Sequence, residues 1–235
     1  TGLSEPTVVA AHKAWRSGGW EAVDVRPRGR KPTGERHLSA EDEAALVAEW
    51  ARPTPGVWTL QRAIAEVAGL HPALDNLAPT QLEPMVLRLW QRGGLSPANS
   101  WDAWRRVSEG PLAQWVSHEL PDLRRLAREA DAALLALSER RLTGQSVCQL
   151  AAHTGRGSAF WRMCSAWPTE GDWTAFWAAL REEVGRPLWL VTDNRWLARR
   201  PSLAAWLANP AHGVQLVHPP EQRPAIPEPP VFSPL

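Results

Sequence analysis

Residues 188–220 restrict the fold more than any other stretch. Leu188-Trp189-Leu190-Val191-Thr192 is a short apolar run, the pattern of a strand buried on both faces. It stops at Asp193-Asn194. Leu203, Trp206 and Leu207 then recur at helical spacing over 202–207, and Asn209-Pro210 closes that helix. Val214-Gln215-Leu216-Val217 reads as a second short strand, ended by Pro219-Pro220. Strand, helix and strand in so little chain predict an α/β unit. A carboxylate at the C-terminal end of a buried strand lies where open α/β sheets hold their ligands. Taken alone, Asp-Asn after a strand is a common loop pair.

The preceding residues supply the rest of such a unit. Trp173, Phe176, Trp177 and Leu180 mark a helix over 172–184 that packs on the sheet. Residues 145–149 and 158–163 are expected strands. The apolar run 132–137 is another, leading into Ser138-Glu139. A helix is predicted over 111–130, bent at Pro121, with Leu112, Trp115, Leu120 and Leu123 on its apolar face. Residues 97–110 read as a linker of mixed polarity.

The N-terminal third is helical and locally basic. Ser4 is a candidate N-cap for a helix that carries Val8, Ala11 and Trp15 on one face. Thr7, Lys13 and Arg16 lie off that face, as residues reading a DNA groove would. Arg26-Pro27-Arg28-Gly29-Arg30-Lys31-Pro32 follows. Proline and glycine forbid a helix there, so Arg26, Arg28, Arg30 and Lys31 stay exposed on a stiff extended segment. Arginines flanking a glycine suit a narrow minor groove. Three more helices are predicted: one over 40–51 capped by Ser39, one beginning at Trp58-Thr59, and one over 81–91. On the last, Gln81, Arg88 and Arg92 are candidate DNA contacts. Each helix also has a plain structural reading, as an amphipathic helix in a bundle.

Composition narrows the classes. The chain has 235 residues, enough for one or two domains, and 44% of them are hydrophobic. The net charge of +1 leaves any DNA affinity to local basic clusters. Two cysteines make no disulfide framework, so a reducing cytoplasm is expected. Cys148, His153 and Cys164 match no zinc spacing and read as core residues. No apolar run is long enough to span a membrane. Fifteen tryptophans with no tyrosine read as core filling.

In order, these motifs resemble the mariner-like bacterial insertion-sequence transposases of the DDE/D superfamily. The resemblance rests on the apolar strand ending in Asp193-Asn194 and on the following helix, strand and His218-Pro219-Pro220 turn. The basic linker and the Trp58-Thr59-Leu60 and Gly94-Leu95-Ser96 motifs add to it. It implies α+β overall: all-α helix-turn-helix modules followed by an α/β ribonuclease-H-like domain. The implied division is a partial first helix-turn-helix over 1–25 and a basic linker over 26–37. A second, winged-helix-like helix-turn-helix covers 38–96, a ribonuclease-H-like domain 111–228, and a Pro-rich tail 229–235. The chain starts at Thr1, inside the first of these motifs, so further sequence is expected upstream.

The resemblance also implies a metal site of three carboxylates. Asp193 takes the second place, and Glu228 is the best positional match for the third, although the family's Asn-Pro is absent before it. Ser138 stands where the first aspartate belongs. A neutral hydroxyl is a poor magnesium ligand, and strand transfer needs two bridged metals. Glu139 is expected to face the opposite side of its strand and so not to replace it. Leu197 stands where the family carries a histidine. The expectation is a transposase-derived protein that binds double-stranded DNA, with a degenerate catalytic site rather than an enzyme's, in transcriptional control or in mobile-element or plasmid biology. It would be a homodimer in the bacterial cytoplasm, associated with nucleoid or plasmid. No cofactor is expected, or magnesium or manganese if the site is active. The alternatives are an active metal-dependent transposase using Asp193 and Glu228, and a protein-interaction scaffold.

Overall fold

The computed structural model of the chain describes residues 5–20, 38–70, 74, 77–142 and 146–220. Two compact units divide the chain, Thr1–His37 and Leu38–Leu235. The first contains helix α1, Glu5–Gly18. Its apolar residues Val8, Val9 and Trp15 are exposed, and Trp15 meets the rings of His12 and Trp20 at 6.1 and 6.5 Å.

The second unit is built on a six-stranded mixed sheet. Its strands are β1 (Trp58–Thr59), β2 (Ala133–Arg141), β3 (Cys148–Thr154), β4 (Ala159–Cys164), β5 (Leu188–Val191) and β6 (Val214–Val217). They lie in the order β1-β4-β3-β2-β5-β6. Antiparallel pairing joins β2 to β3, β3 to β4 and β4 to β1, whereas β5 and β6 run parallel to β2. Helices together with this sheet make the architecture α+β.

Alternation along the strands sends side chains to two helical layers. Ala133, Leu135, Leu137, Leu150 and Leu190 meet one layer. It consists of α8 (Glu170–Val184), α9 (Trp196–Arg199) and α10 (Pro201–Ala208). Thr169 and Asp172 cap α8 reciprocally, and Gly185 ends it at φ +73°, a conformation that favours glycine. On the opposite face, Ala136 and Val191 pack against Trp101, Trp104 and Trp115. These belong to α5 (Ser100–Arg105) and to a helical segment made of α6 (Gly110–Gln114), a π turn (Trp115–Glu119) and α7 (Leu120–Glu129).

The bend expected at Pro121 is this π turn. Pro121 has no N–H to offer the preceding turn, and the Leu120 N–H reaches back to the Trp115 carbonyl instead. Residues 97–110 are not a plain linker, because Asn99 caps α5, which buries Trp101 and Trp104. Strand β2 runs past the expected end at residue 137 and carries Ser138 and Glu139 within it.

The N-terminal helices of this unit are α2 (Ala40–Trp50), α3 (Leu60–Leu70) and α4 (Pro79–Arg92). Ser39 and Asp42 form a capping box at α2. Trp58-Thr59 leads straight into α3, with the Thr59 hydroxyl accepting the Arg62 N–H at 3.1 Å, but is not itself helical. It is the edge strand β1, paired to β4 through Trp58↔Trp161 and Thr59↔Phe160. The three helices share one core with the sheet: Trp50, Ala63, Val86 and Trp90 pack with Ala151, Trp161 and Met163. A boundary between 38–96 and 111–228 therefore crosses a continuous hydrophobic core. Trp161 is its hub, 4.2 Å from the Trp90 ring in an edge-to-face arrangement and 6.5 Å from Trp58.

Trp161→Ala is expected to destabilise this unit by about 3–5 kcal/mol, the usual cost of truncating a fully buried tryptophan. Helical circular dichroism and tryptophan fluorescence should shift together in urea. Separate transitions would mean that α2–α4 fold apart from the sheet.

Candidate functional site

Parallel pairing of β2 with β5 puts the C-terminal ends of both strands at one edge. The register aligns Ala136 with Val191. Two residues further along each chain come Ser138, still within β2, and Asp193, past the end of β5. Strand β5 ends at Val191, so the chain turns away while β2 continues, and a cleft opens between them. Its volume is about 460 Å³, and Ala98, Ser100, Ser138, Glu139, Asp193, Asn194 and Trp196 are among the residues lining it.

The turn is held locally. The Thr192 hydroxyl accepts from the Asn194 N–H at 3.1 Å. His218 Nδ1 donates to the Thr192 carbonyl at 2.8 Å, and Arg195 donates to the Pro219 carbonyl at 3.0 Å. The Pro219 end of β6 thus braces the turn that presents Asp193. Leu197 is packed in the core beneath it.

Ser138 is committed to structure. Its hydroxyl donates to the Ala98 carbonyl at 2.7 Å, while the Ser100 hydroxyl donates to the Leu137 carbonyl at 2.8 Å. Alternation along β2 assigns Glu139 to the face of Leu137, opposite to Ser138. It nevertheless lines the same cleft, because Asn194 folds across the open edge of β2 and donates from Nδ2 to Glu139 Oε1 at 2.9 Å. The other oxygen, Oε2, is buried without a hydrogen-bond partner among the described residues. Burial, and then the Asp193 charge, push the Glu139 carboxyl above the usual carboxylate range.

Among the described residues no group of three His, Cys, Asp or Glu side chains could hold a metal. Glu139 and Asp193 are the two carboxylates that line the cleft among the described residues. Glu228 lies outside the described residues. Cys148 and Cys164 are direct cross-strand neighbours, free and buried, and burial pushes their thiols up to about 11 and about 12. Such thiols are poor nucleophiles and ligands. Burial pushes His153 down to about 4, leaving a neutral core imidazole.

The expected DNA contacts separate into three groups. Thr7, Lys13 and Arg16 are on α1, where Lys13 and Arg16 are exposed. Arg26, Arg28, Arg30 and Lys31 lie outside the described residues. Gln81, Arg88 and Arg92 are exposed on α4, whose Leu82, Val86, Leu89 and Trp90 face the core. Two of these three already have partners. Gln81 Oε1 accepts the Ala78 N–H at 3.0 Å, and Arg92 pairs with Glu43 at 3.0 Å. Among the described residues no helix is long and apolar enough to cross a membrane. Compared with known protein families, curated proteins and solved structures, the chain matches none.

The sign of the Glu139 shift gives a test. A carboxyl raised in the folded state contributes its stability below the unfolded value, about 4.3, and loses it as pH rises through the folded value. Glu139→Gln keeps an acceptor for Asn194 and removes the buried charge. It is expected to melt at a higher temperature than the parent at neutral pH, with the difference vanishing below about pH 4. An equal difference at both pH values in thermal melts would refute the assignment.

Proposed function

We propose that the chain is a DNA-binding protein derived from a mariner-like insertion-sequence transposase, with a ribonuclease-H-like domain that has lost its two-metal chemistry. One observation carries this reading: Ser138 shares with Asp193 the cleft at the C-terminal ends of two adjacent parallel strands, its hydroxyl already bound to the Ala98 carbonyl. The resemblance requires an aspartate at that point. The mixed sheet with helices on both faces supports a ribonuclease-H-like domain, and the exposed Lys13, Arg16 and Arg88 support a role on duplex DNA. Binding would serve transcriptional control or mobile-element or plasmid biology, with the sheet unit serving a homodimer.

A second reading, an active nuclease or transposase, is favoured by Glu139. Its carboxylate shares the cleft with Asp193 and has one oxygen free of hydrogen bonds. A manganese- or magnesium-dependent nicking assay separates the two. The first reading expects no cleavage. Nicking abolished by Asp193→Ala would establish the second.

DNA binding is tested through the basic linker. Replacing Arg28, Arg30 and Lys31 together by alanine is expected to weaken duplex affinity. The slope of log K against log salt should fall by about 2–3, near 0.9 for each lost phosphate contact. Unchanged binding of the triple variant in titrations at several salt concentrations would favour a protein-interaction scaffold.

A further inference from the structure

A second cavity adjoins the Asp193 cleft. Its volume is about 410 Å³, within the range of small-ligand pockets, and it is lined by Trp167, Pro168, Thr169, Glu170, Trp196 and Arg200. Trp196 lines both spaces, so the two are neighbours across one indole. Trp167, in the loop before α8, is 61% exposed. Among the described residues it stacks on no other ring. Most other tryptophans of this chain are buried, so leaving this one in water has a cost that core packing does not offset. Opposite it, the Arg200 guanidinium lies over the Trp196 ring, 5.4 Å from its centroid. Glu170 orients Arg200 at 3.7 Å and accepts a hydrogen bond from Ser202.

We propose that this cavity is a stacking site for an unpaired DNA base held beside the Asp193 cleft. The inference rests on the DNA-binding reading above. An open indole face, a second indole and a guanidinium match the flat π surface of a base, which is accessible only where the base has left the duplex. Glu170 has lone pairs left to accept an exocyclic amino group, as on adenine. The exposed Arg199 and Arg200 supply positive charge for the flanking phosphate.

The test uses the full chain and three fluorescent DNA probes: a blunt duplex, the same duplex with an unpaired oligoadenylate tail, and the tail alone. The tailed duplex is expected to bind about tenfold more tightly than the blunt one. Trp167→Ala should abolish that gain while leaving blunt-duplex affinity unchanged, and Trp167→Phe should keep most of it. A 2-aminopurine placed in the tail should be quenched by the parent and not by Trp167→Ala. Blunt-duplex binding with no gain from the tail, or a gain that survives Trp167→Ala, overturns this inference alone. Trp167-dependent binding of the tail without any blunt-duplex binding supports it and overturns duplex recognition. Failure to bind any probe overturns both.

Discussion

The pairing of β2 with β5 is the constraint on which the rest of the second unit depends. Parallel strands have no tight hairpin, so the chain must leave the sheet and return, and the excursion carries α8. Such strands are also buried on both faces, which demands a helical layer above and below. The same pairing puts two strand ends at one edge, and there the shorter β5 leaves β2 uncovered. The cleft follows from that difference in length. Without it, Asp193 would continue the sheet beside the Ser138 end of β2, which β3 already pairs on its other side.

The helical region 38–96 is attached to this sheet by tryptophan. Trp50, Trp58, Trp90 and Trp161 come from two helices and two strands, and each ring meets another in the group. Indoles bury a large apolar area and favour edge-to-face contact, so few residues suffice to weld two layers. The geometry of β1 reinforces this, since a two-residue strand could not persist without the indole it carries into the core. Several of these indole N–H groups are buried without a partner, a cost set against the apolar area gained.

The electrostatics of the cleft are set by a carboxyl pair, Glu139 and Asp193. Glu139 relieves the repulsion by holding its proton more tightly and by accepting one hydrogen bond from Asn194. Arg195, next in sequence to Asn194, donates to the Pro219 carbonyl. The second cavity differs in kind: its Glu170 and Arg200 already face each other, leaving the indoles as its open surface.

Much of this was determined by local sequence. The apolar run before Asp193, the helical stripe of Trp173, Phe176, Trp177 and Leu180, and the capping of α2 by Ser39 each depend on neighbours a few residues away, so pattern alone sufficed. The cysteines and His153 were legible as core for the same reason. Tertiary structure decided what depends on distant partners. Trp58-Thr59 marks the start of α3 in the sequence, but its pairing as an edge strand depends on β4. Residues 97–110 look like a linker until Trp101 and Trp104 find the far face of β2. Alternation assigns Glu139 and Ser138 to opposite faces, but which groups meet across the end of a sheet depends on where the neighbouring strand stops. No spacing along β2 records that β5 stops at Val191, and so only the folded chain brings Glu139 to Asn194.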